Sequence, residues 1–248
     1  MPRLLVATGL ALLSALPATA QDLVNREVGG ELGYIDFDGQ PQTSFSVFGT
    51  TDLHYTDHFG FQGSIGAQHL GTSQERENSV WLDVNPYVYF DFGLAAGLYA
   101  QGWASDHDPA SAFGGELAWK GDAGLEAQIY YGNTWGDGVD DGYITSKGLQ
   151  LGYTFAGDIY GTLYGYKDTI NQSGQTDRDY YDYGIGVEYP LGYDGMTRLT
   201  GSFGQIRLDA EGETDLQVSV GLTRQFGGLA DRPTFSLQRS VVTGLVNY

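Results

Sequence analysis

Apolar and polar positions alternate along most of the chain with a period of two, the pattern of strands that turn one face to an apolar phase and the other to a polar one. In residues 43–55, TSFSVFGTTDLHY, one face carries Phe45, Val47, Gly49, Thr51, Leu53 and Tyr55, and the other Ser44, Ser46, Phe48, Thr50, Asp52 and His54. After a tight turn at 56–58, FGFQGSIGAQHL repeats the alternation. The same reading predicts further strands near 28–37, 79–90, 92–102, 111–120, 123–133, 146–155, 158–167, 180–190, 196–208 and 214–225, for a total of twelve. Each has roughly 9 to 13 residues, the length a tilted strand needs to cross the hydrocarbon of a membrane.

The connections alternate too. Short ones fall at 56–58, near Asp91, and at 121–122, 156–157 and 191–195, whereas longer polar ones fall at 70–78, 103–110, 134–145, 168–179 and 209–213. A barrel with short periplasmic turns and longer external loops has this asymmetry. DGQPQ at 38–42 departs from it, being short where a long loop is expected. Twelve crossings that start in the periplasm end there, which makes LQVSVGLTRQF (216–226) the predicted closing strand. Pro86, in NSVWLDVNPYVYF, is a local conflict because it lacks the N–H a ladder needs. The reading predicts that this strand starts after Pro86 or bulges near it.

The phase met by the apolar face decides the fold. A soluble sandwich hides that face between sheets, whereas a membrane barrel turns it to lipid and lines its interior with polar groups. The polar faces here carry Asp52, Asp83, Glu116, Glu126, Asp182 and Glu188, with fewer Lys and Arg than a solvated sheet surface usually holds. Tyr55, Phe59, Phe90, Phe92, Tyr153, Phe155, Tyr189 and Phe226 fall near the proposed periplasmic rim, and Tyr34, Trp103, Trp119, Tyr131, Trp135 and Tyr181 nearer the middle or external rim. Aromatic rings favour headgroup depth, where apolar body and polar tip are both satisfied. The expected fold is therefore all-β: a transmembrane antiparallel up-and-down β-barrel of about 12 strands.

The first 20 residues read differently. MPRLLVATGLALLSALPATA has a basic Arg3, an apolar run from Leu4 to Leu16, and small residues Ala18 and Ala20, which predicts a secretory signal peptide cleaved after Ala20. No later window approaches the ~18 apolar residues of a membrane helix. The expected division is a signal peptide at 1–20, a barrel at 21–226, and an extension at 227–248 that is a periplasmic tail or an alternative closing strand. GGLADRP, at 227–233, breaks the alternation before TFSLQRSVVTGLVNY.

Composition narrows the chemistry. Twelve Lys+Arg against 31 Asp+Glu give a formal net charge of -19, so the basic footprint that nucleic acid requires is missing. The chain has no cysteine, which excludes disulfides and thiol catalysis. Its 38 glycines occur without a collagen period and beside 18 tyrosines, which fits turns and closely packed strands.

Candidate pore-lining residues are Asp52, Asp83, Glu116, Lys120, Glu126, Asp182, Glu188 and Arg198, with Arg207 as a further cation facing the acids. Carboxylates along a narrow path favour cations, so a weak cation preference is expected. Gly66, Gly97, Gly114, Gly184, Gly186 and Gly204 leave room inside, whereas Tyr87, Tyr89, Tyr99, Tyr130, Tyr160 and Tyr164 constrict it. If those tyrosines stack on the glycines, the alternative is a filled, structural barrel. Acidic loop stretches at 105–108, 137–141 and 177–179, with Asp209, Glu211 and Glu213, are candidates for loose divalent cation binding but lack the EF-hand spacing. A His69 and Ser73 pair oriented by Asn78 would suit a membrane-embedded lipid hydrolase. No GxSxG, HExxH or P-loop accompanies it, so no catalytic residue, cofactor or metal site is assigned and no enzyme is expected.

Together, the signal-like MPRLLVATGLALLSALPATA, the alternating LEAQIYYG and DYYDYGIGVEY, and the aromatic-ended LQVSVGLTRQF resemble the Gram-negative outer-membrane β-barrel proteins, and more loosely their small porin-like members. The resemblance covers about 28–226. It implies a cell outer membrane location, contact with outer-membrane lipid, and recognition of the last strand by the barrel assembly machinery. In that class a terminal aromatic follows apolar residues at alternating positions, which Leu216, Val218, Val220, Leu222 and Phe226 match and Arg224 interrupts. It also implies a channel for passive diffusion of small hydrophilic solutes or ions. A homo-oligomer is compatible with the resemblance, since many porin-like proteins form trimers.

Overall fold

The computed structural model describes residues 22–37, 40–71, 76–105, 109–136, 142–172, 174, 176–192, 194–208, 214–226 and 232–236. The predicted signal peptide, Ser73, the acidic stretches at 106–108, 137–141 and 209–213, and residues 227–231 and 237–248 lie outside the described residues.

Among the described residues there are twelve strands: β1 (Asp22–Phe37), β2 (Gln40–Thr56), β3 (Phe59–Gly71), β4 (Arg76–Tyr89), β5 (Leu94–Ser105), β6 (Ala110–Lys120), β7 (Leu125–Gly136), β8 (Tyr143–Thr154), β9 (Tyr160–Asn171), β10 (Arg178–Leu191), β11 (Thr197–Leu208) and β12 (Thr214–Gln225). Each pairs antiparallel with its chain neighbours, and β12 pairs with β1 to close the barrel. Closure runs from Glu27↔Gln225 to Ile35↔Gln217, and the Phe226 N–H extends it by donating to the Arg26 carbonyl at 2.7 Å. β1 is thus paired on both edges, with β12 and with β2. Closure satisfies the backbone of every strand laterally, which is the condition for placing a sheet in lipid.

Pro86 neither starts the strand nor bulges it. β4 runs through it, pairing Pro86 with Phe61 on β3. On the β5 side the ladder skips Asn85 and Pro86 and resumes at Tyr87↔Gly97 in the register of Val84↔Ala100. The missing N–H thus costs a short ladder gap while the side-chain alternation is kept.

Apart from the β1–β2 connection, the tight turns among the described residues lie at one end. At 90–93 the Gly93 N–H donates to the Phe90 carbonyl at 2.9 Å, and the Lys120 N–H donates to the Gly93 carbonyl at 2.9 Å, stitching the turn to β6. Gly93 has φ +82, and a Cβ there would lie 2.1 Å from the Lys120 carbonyl oxygen, so both backbone and space require glycine. The β1–β2 connection is shorter than DGQPQ suggested, since Phe37 already pairs with Gln40.

The alternation sorts side chains as expected for a membrane barrel. Leu98, Leu163 and Ile185 are 55–57 % exposed on the outside, whereas Asp52, Asn85 and Asp168 are at most 1 % exposed on the inside. An exposed apolar belt of this kind is stable only against lipid. Exposed Tyr55, Phe59, Phe90, Phe92, Tyr153, Phe155, Tyr189 and Phe226 ring the short-turn end, and Tyr34, Tyr131 and Trp135 lie toward the other. Two tryptophans depart from the expected bands. Trp103 shares the inward parity of Tyr99 and packs against the interior tyrosines, and Trp119 sits beside the short turn, where its ring would be 2.7 Å from a Cβ at Gly121.

Candidate functional site: the barrel interior

The residues singled out from the sequence as pore-lining all occupy inward positions, and the structure divides them between two levels. Toward the short turns lie Asp52, Glu116, Lys120, Glu126, Glu188 and Arg198; Asp182 lies toward the long loops, and Asp83 between. Arg207 differs from expectation. It is exposed, because its odd position on β11 opposes that of inward Arg198 and Ile206. Among the described residues the buried charged side chains are Asp52, Glu77, Asp83, Glu116, Asp168 and Asp182 against Arg198 alone, so the interior is strongly acidic.

The level toward the loops is built by aromatic rings lying on glycines. Tyr99, Ala112, Tyr130 and Tyr166 form a buried cluster, with Trp103 and Tyr164 packed against it. A Cβ at Gly132 would lie 2.0 Å from the Tyr99 hydroxyl oxygen and 2.7 Å from the Phe113 carbonyl oxygen, so Tyr99 lies on the wall where a larger residue would stand. Tyr164 and Tyr166 stack with centroids 5.1 Å apart, and the Gln217 Nε2 donates to the Tyr164 hydroxyl at 3.1 Å and also to Asp182. These tyrosines therefore hug the wall as the filled-barrel alternative required, although they belong to the sheet rather than bridging it.

The level toward the short turns is occupied by residues 232–236. The Arg232 guanidinium lies over the Tyr160 ring, 3.2 Å from its centroid. Its Nη1 donates to Glu126 Oε1 at 3.3 Å and its Nη2 to Thr154 Oγ1 at 3.2 Å, while Nε stands 3.5 Å from Glu188 Oε2. Tyr160 in turn donates its hydroxyl to Glu126 Oε2 at 2.9 Å, and Arg198 donates to Glu188 at 3.1 Å. Phe235 enters a cluster with Tyr87, Ala95 and Ala118, its ring edge-on to Tyr87 at 5.4 Å.

Side chains of the wall satisfy the main chain of this segment. Lys120 Nζ donates to the carbonyls of Arg232 and Pro233 at 3.0 and 3.1 Å. The Thr234 N–H donates to Asp52 at 2.7 Å, and Tyr87 donates its hydroxyl to the other Asp52 oxygen at 2.5 Å. Gln62 accepts the Phe235 N–H at 3.0 Å and donates to its carbonyl at 2.8 Å, imitating one rung of a ladder. The Ser236 N–H donates to Gln128 at 3.1 Å. Glu116 is engaged differently, accepting from the Asn85 amide.

Alternation puts Gln62 and Gln128 on the polar strand faces, whereas sequence reasoning missed Arg232, Thr234 and Phe235 as members of this interior. The available signal was an arginine at the end of the breaker GGLADRP and a phenylalanine just after it, next to a chain whose interior is acidic. The hydrolase arrangement fares otherwise: His69 Nδ1 is 2.9 Å from Asn78 Oδ1 on the exposed side, and Ser73 lies outside the described residues. Among the described residues no cluster of His, Cys, Asp or Glu fits a metal ion.

This geometry is that of a bacterial outer-membrane β-barrel. No family profile matches the chain, and no curated protein is similar to it in sequence. Solved structures share the fold. The NanC porin superposes with a TM-score of 0.63 at 10 % identity, over 80 % of this chain and 100 % of that one. The KdgM porin in complex with disordered oligogalacturonate gives 0.58 at 9 % identity, over 81 % and 99 %. The β domain of the Bordetella autotransporter BrkA gives 0.53 at 13 % identity, over 83 % and 100 %. One architecture thus serves porins and an autotransporter, and the interior has to decide between uses.

Proposed function

We propose that the barrel is a passive outer-membrane channel for small hydrophilic solutes or ions, with a weak preference for cations. The observation that carries this reading is the interior charge: carboxylates at both levels, which outnumber the inward Lys120, Arg198 and Arg232. Such a wall lowers the energy of a cation along the axis and raises that of an anion. The porin structures that share the fold support the channel class. The outward Leu216, Val218, Val220, Leu222 and Phe226 of the closing strand fit recognition by the barrel assembly machinery. Divalent cations at the acidic loops and a homo-oligomer remain parts of the same proposal, tested by calcium titration and by mass measurement in detergent.

Planar-bilayer recording tests the function. In a potassium chloride gradient, the expected reversal potential moves toward the potassium equilibrium value. Movement toward the chloride value overturns the preference. Residues 232–236 favour a second reading, a filled barrel with no conduction, which predicts no current steps from any folded form of the protein.

A further inference from the structure

We propose that residues 232–236 are a plug inserted into the chain's own lumen, and that Glu126, Tyr160 and Glu188 form a guanidinium site whose resident ligand, Arg232, latches it. This rests on the channel reading. The segment lies against nine consecutive strands, β2 through β10: Asp52, Gln62, Tyr87, Gly97, Lys120, Gln128, Thr154, Tyr160 and Glu188 provide one contact from each. A segment in contact with so much of the circumference lies across the passage rather than along one wall.

The bonds are of a releasable kind. Those that hold the main chain of 232–236 come from wall side chains, while β12 and β1 close the barrel through their own ladder. The plug can therefore leave without opening the sheet. Its binding surface is also one that water can take over, because Asp52, Gln62, Lys120, Glu126 and Gln128 are all polar and would line a wet pore. The apolar part of the contact is confined to Phe235 and its cluster with Tyr87, Ala95 and Ala118.

The latch fits a guanidinium by shape. A planar cation stacks on an aromatic face while its edge donates to carboxylates, which a compact ammonium cannot do at once. Tyr160 supplies the face, and its hydroxyl holds Glu126 in place; Glu188 is shared with Arg198, which fixes its orientation. When Arg232 withdraws, the two carboxylates are exposed to the passage, so the same site takes a guanidinium-bearing solute in competition with the tail.

Single-channel recording of the full chain and its variants tests this. Removing residues 227–248 is expected to raise conductance several-fold, with Arg232→Gln and the paired Glu126→Gln, Glu188→Gln showing frequent openings to the same level. Millimolar guanidinium chloride, replacing equal sodium chloride, is expected to raise the open fraction of the full chain and leave the truncated form unchanged. Because the chain has no cysteine, Gln128→Cys with Ser236→Cys can be joined by a short, reducible thiol cross-linker, which should hold the closed level until reductant is added. A folded truncated barrel that conducts like the full chain overturns the plug and leaves the channel standing. If no folded form conducts, the channel reading fails and the plug with it. Should truncation prevent folding, the point variants and the cross-link decide; failure of the cross-link to form in the folded protein overturns the inserted position, and an unchanged open fraction in guanidinium overturns the latch.

Discussion

The two levels of the interior are filled by the same kinds of residue and are held in different ways. Toward the loops, Tyr99, Tyr130, Tyr164 and Tyr166 lie against glycines of neighbouring strands, so filling and wall are one sheet. Toward the short turns, Arg232 to Ser236 come from beyond the closing strand and bind to side chains that project from the wall. The first arrangement is fixed when the barrel forms, because each ring occupies space that opens only when its partner strand is in register. The second adds contacts to a sheet that is already closed. Disturbing the upper level should therefore cost folding, and disturbing the lower one should cost occupancy.

The strongest way to break this comparison is to crowd the upper level. Gly132→Val places methyl groups against the Tyr99 hydroxyl and against the Phe113 carbonyl, which cannot swing away. Overpacking of this sort costs about 1–3 kcal/mol, and we expect the upper end, read as a lowered urea midpoint in lipid vesicles and weaker heat-modifiable migration. Asp182→Ala leaves the Gln217 amide without this carboxylate acceptor, for an expected loss of roughly 1–2 kcal/mol in the same measurement. Unchanged stability in both variants would mean that the upper level is no more structural than the lower.

At the lower level the expected readout changes. Asp52→Asn weakens the acceptor of the Thr234 N–H and the Tyr87 hydroxyl. The unfolding free energy from urea titration should fall by no more than the roughly 0.5–1.5 kcal/mol of a single hydrogen bond, while proteinase K trims the tail faster. The smallest effect belongs to Tyr160→Phe, which keeps the ring beneath Arg232 and removes only the hydroxyl bond to Glu126. A loss of about 0.5–1.5 kcal/mol in tail occupancy is expected from the same trimming assay. If Tyr160→Phe releases the tail as fully as Arg232→Gln, the stacked ring contributes nothing to the latch.

Most of the barrel could be read from alternation because each strand has to satisfy a two-sided environment locally. Phe45 and Val47 against Ser44 and Ser46 is such a case, and their exposure follows the pattern. Local rules misplaced residues where the parity of the strand was not followed to its end. Residue type predicts a lipid-facing Trp103 near the middle or external rim, whereas its odd position on β5 turns it inward beside Tyr99. Arg207 was assigned to the interior by charge, yet it is one residue away from the inward parity of β11. Pro86 looked like a strand boundary because only its own missing N–H was considered; the ladder with β3 and the resumed register with β5 carry the strand across it.

The sequence by itself determined the strands, their faces and the acidity of the interior, since period, turn residues and charge are local properties of the chain. Phe226 ends the strand that pairs with β1, one of the two endings the alternation left open. Only the tertiary structure decided what the closed barrel contains. Residues 232–236 have no periodicity that points to Asp52, Gln62 or Tyr160, and the contacts exist because closure brings side chains from many strands to face one axis. A segment that binds through such a set has its partners scattered across the sequence, more than 170 residues away in the case of Gln62. Its place is fixed by the shape of the lumen, which no single stretch of the chain encodes.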